Sequence, residues 1–439
     1  MCLIEMEDQM LKKFPEKQVA AAIAELNKVR KSWMKRPEVT ACDVGYKIRN
    51  GQLTNELAVR VHVRRKVPDT ALTTSELFNS SANPQQLGTF PIDVIEAEYG
   101  PQQFLEVVAA EEIHRTDRID PLVGGISVGH PTVTAGTLGA IVYDQSDGSA
   151  CLLSNWHVLC GSAACTVGDP IYQPGVYDGG GVSDTVATLR RWQLNSDMDA
   201  AIAVLNGTRS YSRDILGLSP INDVTPPVLG MNVVKSGRTT GVTEGVIDGL
   251  SASLTLNYQG VGNVTFQNQV HIVPRPPWPA INYEVSSGGD SGSIWIEQVT
   301  GKAVGLHFAG ETNSASAAEH AIANPISKVV SQLNISFKPV FVVCKPLIVC
   351  YKQYYCIPEM ICLKLNCRKL ICLKEFICFK EDICIKLYSC LVEGIINPGK
   401  PPVYDDNPII VINPAKLPVE MRRSFEKMLE EIARYQTET

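Results

Sequence analysis

The sequence predicts a mainly β protein, with a small α+β part at the N-terminus and a cysteine-rich β element toward the C-terminus. Three observations carry this. From about residue 120 glycine becomes frequent, and apolar runs shorten to strand length between turn residues. Before that point, one stretch of helical spacing is followed by alternating stretches. Between residues 341 and 392, cysteines recur at intervals of five or six residues.

The elements follow in order. Val19, Ile23, Leu26, Val29 and Trp33 stand at helical spacing over 17–34, and Pro37 ends the run. Residues 39–47 and 57–67 alternate like strands, 74–90 are polar and turn-rich, and 90–98 return to a strand. We read 1–118 as a small α+β domain without chemistry of its own. The alternating neighbours of His62 place it as a surface strand residue rather than a ligand. Short strands are then expected near 137–143, 150–154, 185–192, 199–205, 231–236, 243–253, 261–273, 292–297 and 302–308. A closing helix is expected at 325–334.

Composition bounds the function. The chain has 439 residues, a hydrophobic share of 45% and a charged share of 20%, enough for two or three domains with sizeable cores. A net charge of -6 carries no basic excess, so nucleic acid is not an expected partner. No run approaches the ~20 apolar residues of a membrane helix. Met1 to Asp8 is acidic and lacks an apolar core, so it does not read as a secretory signal. A cytoplasmic location with reduced thiols is the expectation.

Chemistry concentrates in three places. Gly288-Gly289-Asp290-Ser291-Gly292-Ser293 sets a serine among backbone-flexible residues. Glycine at 289 lets the N–H groups of Gly289 and Ser291 turn inward together, as an oxyanion hole requires. A serine hydroxyl needs an adjacent base. His157, within Leu153-Ser154-Asn155-Trp156-His157-Val158-Leu159, offers one with an ordinary pKa near neutrality. Asp199 offers the acid that orients the base. Asp197 is its rival two positions away; Asp199 is preferred because 200–205 continues as a buried-looking strand. The order His, Asp, Ser is one of three that reach a common triad geometry.

These pieces resemble the trypsin/chymotrypsin-like serine peptidases. The resemblance extends to the Narrow-leaf-type peptidases of plants and bacteria through Gly124-Gly125-Ile126-Ser127-Val128-Gly129, Lys235-Ser236-Gly237-Arg238-Thr239-Thr240-Gly241 and Ala303-Val304-Gly305-Leu306-His307-Phe308-Ala309-Gly310. It covers about 120–338, and the N-terminal part more weakly. It implies a chymotrypsin-like double β-barrel over 119–338, with the triad in the cleft and peptide-bond hydrolysis inside the cell without a cofactor or metal. It also implies that His307, Val285 and Gly310 line the pocket for the residue before the scissile bond. Val285 stands where trypsin carries an acid, so cleavage after Glu, Gln or a small polar residue is expected, helped by a hydrogen bond from His307. A satisfied core histidine is the competing reading of His307. Val123-Gly124-Gly125 looks like the N-terminus that trypsin zymogens release to pair with the aspartate before the serine, here Asp290. No basic cleavage site precedes it, and we expect no such activation. The alternative function is a catalytically silent scaffold of the same fold, whose cysteine-repeat tail mediates assembly or partner binding.

Cys151 and Cys160 bracket His157, with Cys165 close by; all three are expected to be buried thiols. Cysteines 344, 350, 356, 362, 367, 372, 378, 384 and 390 form the hexad region. An even spacing puts hexad cysteines on one side of a strand. Stacked β structure, disulfide stapling, a metal site and lipid or partner attachment are the candidate roles. The absence of a Cys-x-x-Cys pair argues against zinc, and a packed or self-associating β element is favoured. A proline-rich linker and a helix near 417–435 complete 393–439.

Overall fold

The computed structural model describes residues 11–67, 78, 86–101, 114–275, 284–312, 320–339, 342–356 and 378–392. The contacts separate two units, Met1–Val340 and Phe341–Thr439.

In the first unit, a six-stranded sheet runs in the order Pro170–Tyr172, Thr185–Leu194, Asp199–Leu205, Ala150–Ser154, Ala140–Asp144 and Ile335–Ser336. Ala140–Asp144 is buried along its whole length and Ala150–Ser154 at all but its first residue, because both strands are covered on both faces. A pair of short strands, Ile126–Val128 and Gly136–Leu138, connects to this sheet through a bridge between Gly129 and Tyr172.

The second set of strands closes on itself. Asn232–Gly237 pairs with Ile294–Glu297, then Ala303–Glu311, Ala321–Pro325, Gly262–Pro274 and Gly241–Tyr258, and the last returns to pair with Asn232–Gly237. Closure removes the unpaired edges that an open sheet would expose.

The N-terminal strands continue this sheet outward. Val39–Arg49 pairs with Gly241–Tyr258, with Ala41 opposite Leu254 and Gly45 opposite Gly249, and Gln52–Val63 and Phe90–Glu96 follow. Helix Glu16–Trp33 packs on their outer face and buries Ala22, Leu26 and Trp33. Each large apolar side chain so covered stabilises the unit by about 1.5–3 kcal/mol. The sequence boundary at 118/119 falls within this one unit.

His62 corrects the sequence reading: it is fully buried. Alternation normally marks one wet face, but from Leu57 to Val63 the strand Gln52–Val63 is buried throughout. Val59, Val61 and Val63 face the helix, whereas Arg60 and His62 face the barrel side chains Asp248 and His271.

In the second unit, Val342–Cys356 and Cys378–Val392 form an antiparallel pair. Its register sets Cys344 opposite Cys390, Cys350 opposite Cys384 and Cys356 opposite Cys378. Residues 357–377, and the expected helix near 417–435, lie outside the described residues.

Candidate active site

His157 and Asp199 come from neighbouring elements. Ser154 ends a buried strand, and the chain turns at once into the short helix Trp156–Leu159. Asp199 opens the adjacent strand, whose residue Ala201 lies opposite Ser154. His157 Nδ1 is 2.5 Å from Asp199 Oδ2, and the His157 backbone N–H donates to Asp199 Oδ1 at 3.2 Å. Both residues are buried.

Three groups that the sequence did not flag hold Asp199. The Tyr258 hydroxyl donates to Oδ2 at 2.7 Å. Burial and the nearby Asp199 charge push the Tyr258 phenol well above its ordinary pKa, so it remains a donor. Asn155 and Asn324 side-chain amides donate to the Asp199 carbonyl at 2.8 and 3.1 Å. The rival Asp197 faces elsewhere: it accepts from Gln332 at 2.9 Å and lies 3.8 Å from Lys328.

The serine loop lies against the histidine segment. The Thr137 N–H donates to the Ser291 carbonyl at 2.8 Å. Gly289 and Gly292 both have left-handed backbone, with φ of 97° and 99°. A Cβ at Gly292 would overlap Ser154 Oγ and the Thr137 carbonyl, and one at Gly289 would overlap Thr239 Oγ1. Ser291 Oγ is 3.4 Å from the Phe308 carbonyl, and His157 Nε2 is buried with no hydrogen-bond partner among the described residues.

Side chains behind the loop fix its peptide planes. Thr239 Oγ1 donates to the Gly288 carbonyl at 2.7 Å, and Thr137 Oγ1 donates to the Gly289 carbonyl at 2.8 Å. Across a trans peptide the C=O and N–H point oppositely, so the first of these bonds aims the Gly289 N–H away from Thr239.

Asp290 anchors the loop from below. It is fully buried and bonded to Lys235 Nζ at 2.9 Å, Thr240 Oγ1 at 2.5 Å and the N–H groups of Ser287, Thr239 and Thr240. Burial alone would raise its carboxyl pKa; Lys235 and the hydrogen bonds hold it down at about 2. Val123 is buried in a separate short strand, so Lys235, and not a released N-terminus, supplies the cation. Lys235 also lies 5.6 Å from the Trp295 ring.

His307 is fully buried beside this ion pair, with its ring 6.2 Å from that of Trp295. Burial, followed by the positive charge of Lys235, lowers its pKa to about 3, so the ring is neutral at physiological pH. Val285 is buried and its carbonyl accepts from Thr243 at 2.7 Å; Gly310 lies on the same strand as His307.

Near the barrel edge a second polar cluster gathers. Arg60 bonds Asp43 through Nε at 2.7 Å and Asp248 through Nη1 at 2.5 Å, and Asp248 accepts from His271 Nδ1 at 2.6 Å. Burial alone would raise both carboxyls, but Arg60 holds Asp43 well below its ordinary value and Asp248 at about 2. His62, His271 and His320 bring ring nitrogens within 4.8 Å of one another. The Tyr99 hydroxyl occupies the space between, at 2.7, 3.1 and 3.0 Å from them. One hydroxyl donates once and accepts twice, so it satisfies all three contacts without a metal ion.

Of the four cysteines with described side chains, Cys42, Cys151 and Cys160 are buried free thiols, and Cys165 is partly exposed. Burial pushes Cys151 up to about 12, so it is no nucleophile.

No family model matches the chain, and no curated protein matches it. Solved structures do. A glutamic acid-specific serine protease, described as using a novel histidine triad in substrate binding, aligns at 22% identity and a TM-score of 0.37, over 49% of this chain and 99% of that one. Thermobifida fusca Protease A aligns at 19% and 0.35, over 49% and 96%. An alpha-lytic protease homolog, N4, aligns at 19% and 0.37, over 49% and 99%. These similarities are of fold, and the named specificities belong to those proteins.

Proposed function

We propose that the chain is a serine endopeptidase. The observation that carries this reading is the buried 2.5 Å contact of His157 Nδ1 with Asp199 Oδ2, next to a serine loop pinned from behind by Thr137, Thr239 and Lys235. Asp199 fixes the imidazole so that Nε2 carries the lone pair. Ser291 Oγ attacks the substrate carbonyl and passes its proton to Nε2, and the N–H groups of Gly289 and Ser291 receive the oxyanion. His157 then protonates the leaving amine, and a water molecule hydrolyses the acyl-enzyme by the same route. Rotation of Ser291 Oγ from Phe308 toward Nε2 is the adjustment that substrate binding brings.

His307, Val285 and Gly310 form the proposed pocket for the residue before the scissile bond. A neutral imidazole donates a hydrogen bond to a side-chain amide but offers no charge to offset a buried carboxylate. Glutamine and small polar residues are therefore placed ahead of glutamate. A reducing, cytoplasmic setting remains part of the proposal, as does self-association through 341–392.

Hydrolysis of a peptide library tests this reading. Turnover that is abolished by Ser291→Ala, with cleavage after glutamine or small polar residues, supports it. Turnover that survives Ser291→Ala contradicts it and favours the silent-scaffold alternative for this site. A preference for arginine or large apolar residues contradicts the pocket assignment alone.

A further inference from the structure

The strand Ala303–Glu311 has two edges. One is paired along Ala321–Pro325, from Gly305 opposite Pro325 to Gly310 opposite Ala321. The other is shared among three neighbours. Ala303, Gly305 and Leu306 pair with Ile294–Glu297. His307 then exchanges backbone hydrogen bonds with the serine loop, accepting from Gly292 N–H and donating to the Ser293 carbonyl, both at 2.9 Å. Ser291 Oγ reaches Phe308 at the next position. Beyond it, Ala309, Gly310 and Glu311 pair antiparallel with Pro101, Gly100 and Tyr99.

We infer that Tyr99–Pro101 occupies the edge on which an extended peptide substrate would pair, so that the chain carries its own competitor for the acyl side of the cleft. This rests on the peptidase reading above. Among the described residues, 309–311 is the stretch of this strand's edge next to Ser291 on which a peptide presenting a carbonyl to Ser291 could add itself as a strand. Tyr99–Pro101 already runs along it in the antiparallel sense, and its C-terminal end is the end nearer Ser291. Proline has no N–H and is accepted only where the ladder asks for none. Gly100 faces Gly310, and a Cβ on Gly100 would lie 2.8 Å from Thr312 Cγ2, so a larger side chain there must push Thr312 or the segment aside.

The segment is tethered from the side away from the serine. The Tyr99 side chain is buried, with its hydroxyl among His62, His271 and His320. The Glu98 carbonyl accepts from the Thr312 N–H at 2.9 Å, and the Ala97 N–H donates to the Val63 carbonyl at 3.0 Å. An occupant joined to its own site competes at a high effective concentration, so an incoming peptide must displace it.

The test uses the full chain and Gly100→Val, which crowds Thr312 without touching His157, Asp199 or Ser291. For an extended peptide substrate, KM is expected to fall about five- to tenfold in the variant, with kcat within twofold. Labelling of Ser291 by a small fluorophosphonate is measured alongside. Equal labelling with an unchanged or raised KM overturns the inference but leaves the peptidase reading standing; no labelling of either protein overturns both. Should Gly100→Val fail to fold, hydrogen exchange on the wild type decides. Saturating acetyl-Ala-Pro-Ala aldehyde is expected to speed exchange at 97–101 while 309–311 stay protected. Protection at 97–101 that persists with the aldehyde bound overturns the inference.

Discussion

Lys235 Nζ lies 2.9 Å from Asp290 Oδ2, both side chains fully buried, directly behind the serine loop. A permanent side chain supplies the cation beside this buried carboxylate. Replacing Lys235 with Met leaves a buried carboxylate with hydrogen bonds but no cation, which costs about 3–5 kcal/mol. Urea unfolding of Lys235→Met should read that loss, and adding Asp290→Asn should recover part of it. The pH sign follows from the depressed carboxyl. Its contribution is present above the ordinary value of 3.8 and is lost as pH falls toward about 2. In Lys235→Met the folded carboxyl loses its main lowering influence and rises toward its ordinary value, so this acid loss should shrink.

Tyr258 donates to the same Asp199 oxygen that meets His157. The bond helps fix the orientation of Asp199 against His157, so Tyr258→Phe should lower kcat/KM by about tenfold through lost positioning. A purely structural role for Tyr258 would lower the melting temperature and leave kcat/KM of the folded variant unchanged.

His307 makes stability fall with acidity. Its folded pKa of about 3 lies below the ordinary 6.5, so between these values the unfolded chain binds more protons. The contribution is fully present above about 6.5 and erodes as pH falls toward 3, with about 2 kcal/mol lost by pH 5. Unfolding free energies at pH 7 and 5 measure it, and His307→Leu should flatten that part of the slope. An unchanged slope would place the ring in contact with solvent.

Arg60 joins the N-terminal hairpin to the barrel through Asp43 and Asp248. Arg60→Met leaves two buried carboxylates without their cation and should destabilise Met1–Val340 by at least about 3–5 kcal/mol. Melting of the variant in one transition is the expected readout. Little change in stability would mean that water enters the cluster.

Much of this architecture was legible in the residues. The strand expected at 199–205 is observed as Asp199–Leu205, and the helix expected at 17–34 as Glu16–Trp33. Period and turn chemistry are local signals, and these elements obey them. His62 was misread because alternation reports one wet face only when the other layer is known. Here helix Glu16–Trp33 covers one side and the barrel the other. Within the site, Ser291, His157 and Asp199 sit in recognisable local contexts. Tyr258 and Asn324 do not: they reach Asp199 from strands 59 and 125 residues away in sequence. Lys235 opens the stretch Lys235–Gly241, yet only the folded register of Asn232–Gly237 brings it to Asp290. The strand Tyr99–Pro101 is three residues long, too short to show a period.

The central claim is that Ser291 is a nucleophile activated by His157. Intact-mass measurement after incubation with a fluorophosphonate tests it most directly. One adduct per chain is expected, mapping to Ser291, absent in Ser291→Ala and strongly slowed in His157→Ala. An unmodified wild-type chain, or an adduct on Ser291 that forms equally fast without His157, would contradict it.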